Sequence, residues 1–228
     1  MRVLVVDSNI DDYWGSPELV HYASHAGAAT VYTRRAPHQD LPKDPSYFDA
    51  IILSGSKTSA MATEPWIERF HEFLKRSMSL RKPILGICYG HQALVRIMGG
   101  AGTMRKSEAP EVGWVEIEQV ASSKILQGLP QKFYSFGSHF QEAAALPSNL
   151  RLIARSDRCG IQGFESVSDP IWGLQFHPEQ MLEHAQCTID EYKKKKSPAL
   201  LHPDKSNKYY DAKVADQIFK NFFEQVKK

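Results

Sequence analysis

The chain has 228 residues, 42% hydrophobic and 24% charged, which suits one large α/β domain with a sizeable core. Its 28 basic and 26 acidic residues leave a formal charge of +2, without the basic bias of a nucleic-acid or membrane-surface binder. The longest apolar runs (residues 3–6 and 51–53) fall far short of a bilayer span, and Cys88, Cys159 and Cys187 lack C-x-x-C spacing, against a disulfide framework or zinc knuckle.

Residues 2–6 predict a first strand that ends in the polar turn Asp7-Ser8-Asn9. Ser16-Pro17-Glu18 predicts a helix start, with Ser16 as N-cap, proline at the first helical position and an acid in the first turn. That helix stops at Gly27, and residues 29–33 and 47–53 read as the second and third strands. Thr63 or Glu64 opens a helix on which Trp66, Ile67, Phe70, Phe73, Leu74 and Met78 recur at helical spacing as one buried stripe. Lys82-Pro83 breaks it; residues 83–87 form a fourth buried strand, and residues 90–98 a helix ended by Gly99-Gly100. Such alternation implies a parallel sheet covered on both faces.

The second half changes character. Residues 112–117, 132–136, 150–154, 161–165 and 171–176 are strand-like with little room for helices, so a mixed sheet with an antiparallel extension is expected. Residues 192–207, with four lysines at 193–196 and two prolines, read as an exposed loop, and about 210–226 as an amphipathic helix carrying Val214, Ile218, Phe222 and Val226. Neither an internal repeat nor a linker is visible. The expectation is a single domain with a C-terminal helical extension over about 181–228. A strand-like run directly after Met1-Arg2 leaves no signal peptide to read, and a reducing cytoplasm is the expected compartment.

The chemistry centres on Gly86-Ile87-Cys88-Tyr89-Gly90-His91-Gln92. A buried strand enters it and a helix leaves it, the context of a nucleophile elbow. Gly86 and Gly90 allow a sharp turn and close helix–strand packing, and Cys88 then sits at a helix N-terminus, which favours a thiolate. The N–H of Tyr89 is placed to stabilise an oxyanion. A lone cysteine is more often a small buried hydrophobe, so the catalytic reading requires partners.

Gly173-Leu174-Gln175-Phe176-His177-Pro178-Glu179 supplies them. On an extended strand His177 and Glu179, two apart, share a face, and Pro178 keeps the backbone extended. His177 then takes the proton of Cys88 while Glu179 orients the imidazole, as in a catalytic triad. H-E-x-x-H spacing does not occur, so no metal is expected, and no cofactor.

Together the two motifs resemble the class I (triad) glutamine amidotransferases, in particular stand-alone members related to the amidotransferase domain of GMP synthetase. The resemblance runs over roughly residues 45 to 180. It implies attack of Cys88 on a glutamine side-chain amide, with glutamate and ammonia as products and, as the acceptor-bearing partner, a separate synthase subunit. By the same resemblance Gly55, in Leu53-Ser54-Gly55-Ser56, completes the oxyanion hole, and Gln92 with the backbone at Ser138, His139 and Phe140 holds the substrate. The chain departs from the family in three places. Phe140-Gln141 stands where Gly-Asp is usual, the glycine loop is Ser-Gly-Ser, and the stretch after Glu179 exceeds what a minimal domain needs. Neither G-x-x-x-x-G-K-[ST] nor G-x-G-x-x-G occurs, so an acceptor site must come from another polypeptide. Two competing expectations remain: a free-standing γ-glutamyl hydrolase or peptidase with the same triad, and a non-catalytic protein on this scaffold.

Overall fold

The computed structural model describes residues 1–11, 15–27 and 30–227. Among them the first half alternates β1 (Arg2–Asp7), α1 (Ser16–His25), β2 (Thr30–Arg35), β3 (Ala50–Leu53), α2 (Pro65–Ser79), β4 (Ile84–Ile87) and α3 (Tyr89–Gly99). The second half is mostly strand: β5 (Met104–Gln119), β6 (Lys132–Ala143), β7 (Leu150–Arg155), β8 (Gly163–Ser166) and β9 (Ile171–Leu174). It closes with α4 (Leu182–Lys194), β10 (Leu200–Leu201), α5 (Ser206–Tyr209) and α6 (Ala212–Val226).

Among the described residues the strands form one ten-stranded sheet in the order β10-β5-β7-β8-β9-β4-β3-β1-β2, with β6 paired to β5. From β2 to β9 every pair is parallel, whereas β9–β8–β7–β5–β6 run antiparallel. This is the mostly parallel α/β sheet with an antiparallel extension that the sequence alternation implies.

Strand periodicity decides which helix covers which face. Val3 and Val5 point to one side, where α1 supplies Leu19 and Ala23 and α6 supplies Ile218, Phe219 and Phe222. Leu4 and Val6 point to the other, against Phe70 and Leu74 of α2 and Leu94 of α3. The α2 stripe is buried as expected, from Trp66 to Leu74. At roughly 1.5–3 kcal/mol for each fully buried large apolar side chain, this stripe rather than helix propensity holds α2 in place.

Several sequence expectations need correction. Ser16 is not the N-cap of α1: Gly15, at φ 77°, holds that position and Ser16 is the first helical residue. The expected second strand began at residue 29, which lies outside the described residues; β2 starts at Thr30. The third strand is shorter than expected, because Asp44 caps a 3-10 turn at Pro45–Tyr47 before β3. In the second half β5 and β6 are longer than their apolar segments, since they continue as a paired ribbon (Met104 opposite Ala143) in which Arg105 and Lys106 are exposed while Glu111, His139 and Glu142 are buried.

The largest correction concerns residues 192–207, which do not form one exposed loop. Helix α4 runs to Lys194, and its Ala185 and Ile189 pack on Trp114 and Phe136. Leu200 and Leu201 then add β10 in parallel to Val112 and Gly113 of β5. The Trp114 indole N–H donates to the Ser206 hydroxyl of α5 at 3.0 Å. The sparse apolar residues of this segment are sufficient because β5 and β6 offer a prepared surface.

Candidate active site

Cys88 stands between β4 and α3 as the N-cap residue, with φ 48° and ψ −100°. A non-glycine residue in such a conformation stores about 1–3 kcal/mol of strain and persists only where its surroundings impose it. The surroundings do so by hydrogen bonds on both sides. Cys88 N donates to Leu174 O at 2.7 Å, Gln92 N to Cys88 O at 2.9 Å, and Gly90 N to Ser54 O at 3.2 Å. Small residues are obligatory on either side of it. A Cβ on Gly86 would lie 2.6 Å from the carbonyl carbon of Gly90, and one on Gly90 2.5 Å from Leu53 Cβ.

Behind Cys88 lie His177 and Glu179, their side chains wholly excluded from solvent. His177 Nδ1 and Glu179 Oε1 are 2.7 Å apart, and the His177 side chain also interacts with Cys88. The expected route to this contact needs correction. β9 ends at Leu174, so the pair does not share an extended strand. His177 instead makes an isolated antiparallel bridge to Phe136, donating its N–H to Phe136 O at 2.7 Å. The chain turns at Pro178, with Gln180 N donating to His177 O at 3.3 Å, and the turn folds Glu179 back onto the ring.

The electrostatics follow from burial and two neighbours. Burial opposes charge on His177, but the charges of Glu179 and Cys88 and hydrogen bonds to both outweigh it, raising the pKa from 6.5 to about 10. The imidazolium is therefore retained across neutral pH. Cys159 contrasts with Cys88: it is fully buried, and desolvation, with Glu111 and Glu142 nearby, pushes its thiol far up. Cys187 is exposed on α4.

Cys88 opens into a cavity of about 740 Å³. Of the predicted substrate residues, Gln92, Ser138, His139 and Phe140 all line it. Ser138 O lies 3.8 Å from Cys88 Sγ. The Gln92 amide donates to Gln141 O at 2.8 Å and to Gln175 Oε1 at 2.9 Å, which anchors its nitrogen in the wall. Phe140 is 45% exposed and stacks on Tyr192 of α4, ring centroids 5.8 Å apart. Of the expected oxyanion donors, Gly55 lies two residues beyond the end of β3 and Tyr89 directly follows Cys88. The Ser-Gly-Ser loop is laced down: Ser8 N donates to Ser54 Oγ at 3.0 Å, Ser54 Oγ to Gly55 O at 2.8 Å, and Ser56 Oγ to Ser8 O at 2.8 Å. The Tyr89 ring is buried against Trp66 and Phe70, leaving only its backbone for the site.

Three contributors have no role assigned to them by sequence. Gln175 donates to Cys88 Sγ at 3.5 Å; it belongs to the quoted histidine motif, whose buried strand end was the available signal. Gln141 replaces the family's carboxylate and fastens the cavity wall to the loop after β3, bonding Ser59 Oγ at 2.7 Å and Ala60 N at 2.9 Å. Glu111, 1% exposed, accepts from His139 Nε2 (2.8 Å), Gln162 Nε2 (2.6 Å) and Ser156 Oγ (2.7 Å). The His139 ring is thus tied inward, and the Gln162 carbonyl in turn receives the N–H of Gln175 at 2.9 Å. A buried donor left without its acceptor costs about 1–3 kcal/mol. Glu111→Ala, which takes an acceptor from three donors and leaves His139 Nε2 without one, is expected to lower unfolding stability by about 1–3 kcal/mol and Glu111→Gln by clearly less; equal denaturation midpoints for wild type and alanine variant would refute this anchoring role.

Among the described residues no group of three or more His, Cys, Asp or Glu side chains is placed to hold a metal ion, and no helix is long and apolar enough to cross a membrane.

A mixed α/β sheet that presents a cysteine at a strained strand–helix turn, in contact with a buried His–Glu pair, is the architecture of a nucleophile-elbow enzyme. The family model of the class-I glutamine amidotransferases matches residues 12–193, and the chain belongs to this enzyme family. It is 36% identical over 147 residues to one subunit of the glutamine-hydrolyzing GMP synthase of Pyrococcus abyssi, covering 63% of this chain and 73% of that protein. The corresponding protein of Pyrococcus furiosus is 38% identical over 131 residues, 57% of this chain and 65% of that one. The crystal structure of a glutamine amidotransferase from Thermotoga maritima shares the fold, with a TM-score of 0.79 at 21% identity over 99% of this chain and 97% of that one.

Proposed function

We propose that the chain hydrolyses a γ-glutamyl amide, glutamine being the simplest case, with Cys88 as nucleophile, His177 as general acid and base, and Glu179 as the group that orients His177. The observation that carries this reading is the buried His177 side chain, held 2.7 Å from Glu179 and interacting with Cys88 at the strained turn. Cys88 Sγ attacks the amide carbon, and the resulting oxyanion is met by the N–H groups of Gly55 and Tyr89. His177 gives its proton to the departing nitrogen, and ammonia leaves from a γ-glutamyl thioester. Water, deprotonated by His177, then attacks the thioester, which releases glutamate and frees Cys88 Sγ with the proton back on His177. Gln92 and the backbone at Ser138, His139 and Phe140 hold the glutamyl portion.

In this reading the whole of residues 1–228 works as one unit in the reducing cytoplasm, and residues 181–228 complete the cavity rather than form a second domain. The chain carries no phosphate-cradling G-x-x-x-x-G-K-[ST] motif. With relatives named as subunits of a glutamine-hydrolyzing GMP synthase, a synthase of that kind, supplied by another polypeptide, is the proposed ammonia acceptor. The size of the cavity favours a second reading, release of an amine larger than ammonia.

The test is glutamate release from L-glutamine as a function of pH. A proton held by His177 to about pH 10 gives a rate that is sustained through neutrality and falls as pH rises through that value, because the leaving nitrogen then loses its proton donor. The folded-state pKa is raised, so the matching stability contribution is complete below about pH 6.5 and is lost as pH climbs toward about 10. A rate that already declined between pH 7 and 8 would contradict the assignment of His177.

A further inference from the structure

The cavity is not confined to the neighbourhood of Cys88. It continues to α4, in the C-terminal extension, where His184, Cys187, Thr188, Glu191, Tyr192 and Lys195 form its far wall. At about 740 Å³ it lies well inside the roughly 300–1,000 Å³ range of pockets that enclose drug-sized ligands. Glutamine is much smaller than that, and departing ammonia needs no wall. Two features of the far region have a definite chemistry. The first is the stacked pair Phe140 and Tyr192, which offers an apolar face at the rim even though Phe140 stands where the family usually has glycine. The second is a pair of cations, Lys57 from the loop after β3 and Lys195 at the C-terminal cap of α4, both lining the cavity. They converge on the same neighbours, since both act electrostatically on Glu191 and on Tyr192.

We propose that this far region is a leaving-group subsite, and that the substrate is a γ-glutamyl peptide, a γ-glutamyl unit joined through its amide to an α-amino acid with an apolar side chain. The proposal rests on the Cys88–His177–Glu179 reading above. The glutamyl end lies at Gln92 and β6, the apolar side chain lies against Phe140 and Tyr192, and the terminal carboxylate faces Lys57 and Lys195. Lys195 also pairs with Glu191 one helical turn away. Both partners are largely exposed, and such pairs are weak enough to exchange for a substrate carboxylate. The chemistry balances with no added reactant. The Sγ–C bond forms, the amide C–N bond breaks, and the proton on His177 goes to the nitrogen of the leaving amino acid. Water then cleaves the thioester to give glutamate.

The test compares γ-glutamyl-phenylalanine with L-glutamine as substrates for the full chain, using wild type, Tyr192→Ala and Lys195→Met. Cys88 is probed in parallel with an electrophilic glutamine analogue. The expected result is a kcat/KM about 10-fold or more higher for the peptide, and a loss of about 10-fold on the peptide in each variant, carried mainly by KM. Glutamine hydrolysis, which does not reach α4, should change less than about two-fold in both variants. Equal losses on both substrates, or glutamine turnover without peptide cleavage, would overturn the subsite. No cleavage of either substrate while the electrophile still labels Cys88 would also overturn it, leaving the triad reading intact. Failure of labelling as well would remove the triad reading, and with it the proposal.

Discussion

Cys88→Ala is expected to reduce release of glutamate from glutamine, or from any γ-glutamyl substrate, by at least about 10⁴-fold, the scale on which removal of a triad nucleophile acts. Without Sγ no thioester forms, and the oxyanion donors alone leave only a small residual rate. The fold should survive, since alanine fits the space of a cysteine side chain that is 5% exposed at its turn. A second readout separates this from general damage. Part of what keeps His177 protonated is the charge of and hydrogen bond to Cys88, so in the variant the imidazole should titrate below about 10, as followed by NMR of the ring. Undiminished turnover in a folded Cys88→Ala protein would exclude the covalent mechanism.

Gly90→Ala is the second large effect expected. The added carbon would lie 2.5 Å from Leu53 Cβ and 2.9 Å from Leu53 O. Leu53 ends β3, which is buried and paired on both edges, so relief must come from displacement of α3 and with it the Cys88 turn. Overpacking of this kind costs about 1–3 kcal/mol in stability. A shift near 1 Å at the nucleophile costs about 100-fold in rate. Unfolding midpoints and kcat/KM measured together should therefore both fall. Gly102→Ala is the matched control: its added Cβ meets nothing within 4 Å, and it should leave both quantities unchanged. A Gly90→Ala protein as active and as stable as the control would mean that the elbow does not require close helix–strand packing.

The Cys88 turn and the parallel half of the sheet were legible because their signals are local. The run at residues 84–87 reads as a buried strand, Gly86 and Gly90 mark a crossing too close for side chains, and the α2 stripe repeats at helical spacing. The unbroken apolar run Val3-Leu4-Val5-Val6, which puts apolar side chains on both sides of a strand, already implied two covered faces. The two motifs of the site were legible for a related reason, since each is a short string at a strand end and each is read without knowing where the other lies.

What remained hidden depends on partners distant along the chain. Glu111 reads as one acid in a polar stretch until folding brings it His139, Gln162 and Ser156, which are 28, 51 and 45 positions away. Residues 192–207 read as a loop because α4 buries only Ala185 and Ile189, and because β10 and Ser206 acquire their partners from β5, some 90 positions earlier for the Trp114–Ser206 bond. Even the His177–Glu179 contact, correctly paired by spacing, is made by a turn held at Phe136 rather than by an extended strand. Sequence by itself determined where the strand–turn–helix at Cys88 falls and which faces are buried, because periodicity and steric size are properties of a segment. The shape of the cavity, its α4 wall and the anchoring of its inner side were decided only by tertiary structure, because each arises from register between elements that no single segment encodes.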